Sequence, residues 1–179
     1  MTTAHVFIAT SLDGFIARPD GHLDWLPMRP AEGEDFGYDT FIADIDLLVM
    51  GRGTFDKVVG FDPWPYHVPV LVLSRQLAGT AVPERLHGKV RFAETPPAQL
   101  MRELEQQGVR RVYVDGGQLV QSFLREGLVS DLVITTVPVL IGAGRPLFGA
   151  LARDVALELV ASRALPASGM VQSTYRVRG

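Results

Sequence analysis

Apolar, β-branched runs recur along this chain, separated by stretches with helical spacing, and that alternation confines it to an α/β sheet. Strands are predicted over residues 5–11, 46–50, 69–73, 89–93, 110–114 and 132–139. Helices are predicted over about 34–43, from Thr54 onward, and after a Thr95 N-cap, with Pro96 and Pro97 in the first turn and Gly108 as the stop. A further helix opens at Asp115-Gly116-Gly117 and stops at Gly127. Two late strands, near 157–164 and 171–177, have no helical pattern between them and should pair as an antiparallel hairpin. The expected sheet is therefore mixed, helix-linked at first and antiparallel at its end. No internal repeat, low-complexity tract or Gly/Ser linker interrupts it, so one domain over 1–179 is expected.

Composition removes several function classes. There is no cysteine among the 179 residues, which excludes disulfides, thiolate metal sites, Fe–S clusters and cysteine nucleophiles. The four histidines (His5, His22, His67 and His87) lack any paired-ligand spacing, so no metal is expected. The N-terminus has no basic n-region, and the uncharged stretch 132–144 is too short and too polar to span a bilayer. A soluble, cytoplasmic protein without a membrane partner is expected. The net charge of −3 divides unevenly: residues 1–89 carry 7 basic and 12 acidic side chains, residues 90–179 carry 10 and 8. Eight of the acids fall between Asp20 and Asp46 with a single Arg among them. No basic stripe exists to neutralise a phosphate backbone, so nucleic acid is not an expected partner.

The chemistry is expected at strand ends, where open α/β sheets bind ligands. Met50-Gly51-Arg52-Gly53-Thr54 follows a buried strand: its glycines let a backbone approach closely, and Arg52 suits a phosphate. Leu73-Ser74-Arg75 adds a hydroxyl and a guanidinium, the groups that suit a phosphate monoester. Val114-Asp115-Gly116-Gly117 brings a strand into a helix, where backbone N–H groups can meet a pyrophosphate. One cofactor bearing several phosphates accounts for all three. A Walker A loop is absent, and the Gly142-Ala143-Gly144 run has Leu147 where a dinucleotide fingerprint needs its third glycine. No G-x-S-x-G elbow supports a hydrolase.

Five segments, in order, carry a family resemblance. Ser11-Leu12-Asp13-Gly14-Phe15-Ile16-Ala17 resembles a first-strand S-x-D-G-x-I-A signature, and Val49-Met50-Gly51-Arg52-Gly53-Thr54-Phe55 an MGR-x-T-[FW] motif. Residues 70–75 resemble a strand ending in LS, and Val114-Asp115-Gly116-Gly117 a GG turn before a helix. Residues 138–148, Pro-Val-Leu-Ile-Gly-Ala-Gly-Arg-Pro-Leu-Phe, are close to P-x-L-x-G-x-G-x-P-L-F. Together they resemble the dihydrofolate-reductase-like fold, and within it the stand-alone relatives of the riboflavin-pathway pyrimidine reductase, the C-terminal half of a bifunctional deaminase–reductase. The resemblance implies a three-layer fold with helices on both faces of the sheet, NADPH as cofactor, a small-molecule substrate and a homodimer.

It also implies a role for each segment. Arg52 and Thr54, with Gly51 and Gly53, would lie at phosphates; Ser74 and Arg75, beside Leu73, would face the adenosine 2′-phosphate. Gly116 and Gly117 would touch the pyrophosphate, followed by Gln118 and Leu119, while Ala9 and Ile16 would line the nicotinamide pocket. Reduction of a C=N bond needs a proton, so a carboxylic acid or an ordered water belongs near the acceptor. Counted back from the MGR motif, Asp35 falls at the position of the folate enzymes' substrate carboxylate, on the first turn of the 34–43 helix, with Glu32 and Glu34 as competitors. Asp13, Trp25 and Asp35 form the expected substrate-binding set, and Asp35 is the catalytic candidate. Trp25-Leu26-Pro27 is similar to the folate enzymes' Trp loop, yet Trp25 stands ten residues from Asp35, about five too many. The zinc deaminase pattern is missing altogether. The expected activity is hydride transfer to a C=N or C=O carbon of a small heterocyclic or sugar-linked substrate. Dihydrofolate reduction and a non-catalytic nucleotide-binding domain are the alternatives.

Overall fold

The alternation in the apolar runs is realised as an eight-stranded sheet in a computed structural model that describes residues 1–27 and 29–178. The strands run in the order β5-β4-β3-β6-β1-β7-β10-β9. They are β1 (Thr3–Ser11), β3 (Leu47–Gly51), β4 (Val70–Leu73), β5 (Val90–Ala93), β6 (Arg111–Asp115), β7 (Val129–Val137), β9 (Leu157–Leu165) and β10 (Met170–Val177). The pairs from β5 to β7 are parallel, whereas β10 is antiparallel to both β7 and β9. Helices α1 (Tyr38–Ala43), α2 (Arg52–Val58), α3 (Pro97–Gln106) and α4 (Gly117–Arg125) provide the outer layers.

Strand period decides which residue meets which layer. Leu47 and Val49 of β3 enter a core shared with Leu100 and Leu104 of α3 and Phe123 of α4. Their neighbours Leu48 and Met50 point the other way, into a core with Phe55 and Val58 of α2 and with Phe41 and Ile42 of α1 packed against it. Residues buried on both faces of parallel strands explain the continuous apolar runs. The three-layer, mostly parallel architecture with a C-terminal antiparallel hairpin is thus as expected.

Several boundaries differ. Helix α1 begins at Tyr38 rather than 34, because residues 34–37 are bound elsewhere. The Asp35 carbonyl accepts from Arg163 Nη2 (2.7 Å), the Phe36 carbonyl accepts from Gln172 Nε2 (2.9 Å), and Gly37 takes a left-handed φ of 75°. Those tethers withhold the carbonyls a helical turn would use. Helix α2 begins at Arg52, so Thr54 lies inside its first turn and does not cap it. Nor does Thr95 cap α3: Pro96 occupies that position, and the Ala98 N–H is taken by the Glu126 carboxylate at 3.0 Å. Strand β7 starts at Val129 and ends before Pro138; β1 starts at Thr3. A small second sheet, β2 (Phe15–Ala17) against β8 (Arg145–Pro146), is too short to have shown any periodicity.

On β1, His5 is 2% exposed and is held between Thr3 Oγ1 (Nε2, 2.8 Å) and Asp131 Oδ2 (Nδ1, 2.7 Å). Phe123, fully buried between α4 and the sheet, should be the most sensitive core position. Phe123→Ala should lower stability by about 3–5 kcal/mol, read as a reduced urea midpoint at unchanged slope.

Candidate active site

The β6–α4 turn brings separate segments together through two glycines. Gly116 has φ 101°. A Cβ there would stand 2.8 Å from Thr54 Oγ1, and one on Gly117 would stand 2.9 Å from both Ile16 Cδ1 and the Pro146 carbonyl oxygen. Any larger residue would push β2, β8 and α2 away from the start of α4. Gly116 therefore lies against Thr54 and Gly117 against Ile16 and Pro146, and Gly51 N lies 3.9 Å from where a Gly116 Cβ would stand. Arg52 sits on the exposed side of α2, 3.3 Å from Asp56 Oδ2.

Beyond that turn, a pocket of about 380 Å³ opens between the end of β4 and the start of α4. Leu73, Ser74 and Arg75 form one wall and Leu119 another, with Pro96 and Pro97 of the α3 entry between. The Ser74 hydroxyl accepts a long bond from Leu77 N–H (3.3 Å), which leaves its own proton to donate. Glu94 and Glu126 also reach this pocket, and Glu126 is occupied at the α3 N-terminus. Gln118 is exposed on the first turn of α4.

On the α1/α2 side, the end of β6 carries a further carboxyl, Asp115. Burial pushes Asp115 up to about 6, offset in part by the Gly116 N–H. Tyr38 is pushed up to about 12, and Tyr66 and Tyr113 are raised as well, in each case by burial first and then by the Asp115 charge. The Tyr113 hydroxyl donates to the Phe7 carbonyl at 2.8 Å. Asp115 is the residue before the glycine pair; Tyr113 precedes it on β6, while Tyr38 and Tyr66, which also sense its charge, come from distant parts of the chain.

The expected substrate residues separate. Trp25 packs in a small cluster with Ala9, Phe36 and Val137, and its indole N–H is buried without a partner among the described residues. Asp13 is committed to the loop that follows β7: its carboxylate accepts from Ser11 Oγ (2.6 Å), Gly142 N (2.8 Å) and Ile141 N (3.3 Å). The Ser11 hydroxyl holds it below the usual carboxylate range. Asp35 is exposed on a turn ahead of α1, not on a helix, and its Oδ1 accepts the Gly37 N–H at 2.8 Å.

The model of one protein family, the RibD C-terminal domain, matches residues 3–170. The chain belongs to that family. Its fold is that of a crystal structure from Shewanella sp. PV-4 provisionally assigned to riboflavin biosynthesis, at TM-score 0.91 and 39% identity over 99% of this chain and 100% of that one. The uncharacterized protein YwjB of Bacillus subtilis is 32% identical over 157 residues, 86% of this chain and 87% of the relative. A dihydrofolate reductase from Enterococcus faecalis, complexed with NADP(H), shares the fold at TM-score 0.66 and 17% identity, over 99% of this chain and 97% of that one. The RibD C-terminal domain is a reductase domain, which makes this chain an oxidoreductase of the pyrimidine-reductase type.

Asp115 gives a stability signature with a definite sign. Its folded pKa lies above the ordinary 3.8, so the stability it favours is complete below about pH 4 and is lost as pH rises to about 6. Asp115→Asn should remove that loss. The variant should gain on wild type between pH 4 and 6, by on the order of 2 kcal/mol at pH 7, in urea titrations across that range.

Proposed function

We propose that the protein binds NADPH across the C-terminal ends of β3, β4 and β6 and reduces a C=N or C=O carbon of a small heterocyclic or sugar-linked substrate. The observation that carries this reading is the pocket that Ser74 and Arg75 line together with Leu119, on the first turn of the helix that the Gly116–Gly117 turn opens. A hydroxyl and a guanidinium with no acidic partner among the described residues suit the 2′-phosphate, and the bare glycine backbone suits the pyrophosphate. Thr54, Arg52, Gly51 and Gly53 border the same turn; Ile16 and Ala9 face the nicotinamide side. Bound there, the cofactor supplies the hydride.

The protein's own residues bind, orient and supply the proton. We assign proton delivery to Asp115, whose pKa burial raises to about 6, so that it holds a proton far more often near neutral pH than an ordinary carboxyl does. Asp35 is less suited, being exposed and already bonded to Gly37. Tyr38 and Tyr66 stand close enough to sense the Asp115 charge. The self-association implied by the family falls on β9, a free sheet edge where Leu159 and Val160 are 57% and 48% exposed.

Quenching of tryptophan fluorescence by NADPH should saturate, and Arg75→Ala should weaken NADPH at least 10-fold while leaving NADH within about 2-fold. Asp115→Asn should lower kcat by about 100-fold or more with NADPH affinity retained, whereas Asp35→Asn should affect turnover much less. An absence of saturable binding, or equal losses for the two nucleotides in Arg75→Ala, would contradict the cofactor reading.

A further inference from the structure

Two cations meet over bare backbone where the 18–22 turn touches α2. Gly21 is buried, with φ +87°, and its N–H donates to the Arg18 carbonyl at 2.8 Å. A Cβ on Gly21 would stand 3.2 Å from Arg145 Nη2 and also 3.2 Å from Lys57 Nζ. Both groups therefore lie against one small patch of main chain, within reach of a single bridging anion. Arg145 also extends over the first turn of α2: its Nη1 is 3.7 Å from the place a Gly53 Cβ would occupy. Its position is set by the β2–β8 pairing, in which Arg145 stands opposite Ala17. Gly144 makes that pairing possible, because a Cβ there would collide with the Ala17 carbonyl oxygen.

The carboxylates nearby are already engaged. Asp24 holds Arg18 through two bonds of 2.6 and 2.9 Å, Asp56 pairs with Arg52, and Asp20 Oδ1 accepts the His22 N–H at 3.0 Å. Among the described residues neither Lys57 nor Arg145 has an acidic partner; the latter makes only a long bond of 3.4 Å from Nε to the Pro19 carbonyl. A planar guanidinium beside a compact ammonium is a donor set matched to phosphate oxygens.

We propose that Lys57 and Arg145, with Gly21 as the floor, form an oxyanion clamp for the diphosphate of the bound dinucleotide. This rests on the cofactor reading above. The clamp joins the 18–22 turn, α2 and β8, so the anion ties three segments together. Glycine at 21 serves both the turn and the approach of the two cations.

The test uses the full chain and titrates inorganic pyrophosphate, NADPH and adenosine 2′-phosphate against wild type, Lys57→Ala, Arg145→Ala, the double variant and Arg145→Lys. Each alanine should weaken pyrophosphate and NADPH about 10-fold, and the pair about 100-fold, with adenosine 2′-phosphate unchanged. Arg145→Lys should recover part of the loss. Thermal midpoints close to wild type show that the variants are folded. A folded double variant that binds pyrophosphate and NADPH within 2-fold of wild type overturns the clamp. Should wild type bind pyrophosphate through the pair but not bind NADPH, the cofactor reading fails separately. Competition by ribose 5-phosphate would then place a substrate phosphate in the clamp and overturn its assignment to the cofactor.

Discussion

The close approach at Gly116 and Gly117 is the constraint on which the rest of the site depends. With no Cβ at either position, Thr54 of α2, Ile16 of β2 and the Pro146 carbonyl of β8 all come against the first turn of α4. Three segments separated by tens of residues in sequence thereby share one turn of backbone. The same junction sets Asp115, the preceding residue, at the end of β6 on the opposite face from Val114, where the Gly116 N–H meets its carboxylate. A strand-to-helix junction thus fixes the glycine turn and the Asp115 carboxyl in one step.

A second set of contacts shapes the opposite side of the sheet. Gln172, 7% exposed on β10, donates to Thr135 Oγ1 and to the Phe36 carbonyl, both at 2.9 Å, and its own Oε1 accepts from Arg163. Glu34 Oε1 accepts the Ala167 N–H at 2.7 Å. These bonds strap the acidic 34–37 segment to the C-terminal hairpin and bury Phe36 beside Trp25. The acid-rich stretch noticed in the sequence is therefore partly structural: Glu34 and the Asp35 carbonyl are hairpin anchors, which fixes where α1 can start.

Much of the fold was legible because the parallel strands are buried on both faces and read as unbroken apolar runs, such as Leu47–Gly51 and Val70–Leu73. The late hairpin was legible from the lack of helical spacing around it. The positions of the glycine turns and of the Ser74–Arg75 strand end were legible too, since special backbone and charge are written locally. What the sequence could not show were contacts between distant segments. Glu126 reaches back to cap α3, Arg163 and Gln172 unwind the expected start of α1, and residues as short as Arg145–Pro146 pair with β2. The ionisation of Asp115 was illegible for the same reason: its neighbour glycines are written locally, while the burial that raises its pKa is assembled from other segments of the fold.

Hydrogen–deuterium exchange with and without NADPH tests the central claim most directly, because it reads where the nucleotide lies and needs no substrate. The account predicts added protection at residues 51–54, 73–75 and 116–119, with the β9 edge unchanged. Protection confined to other segments, or none at the Gly116–Gly117 turn, would contradict it.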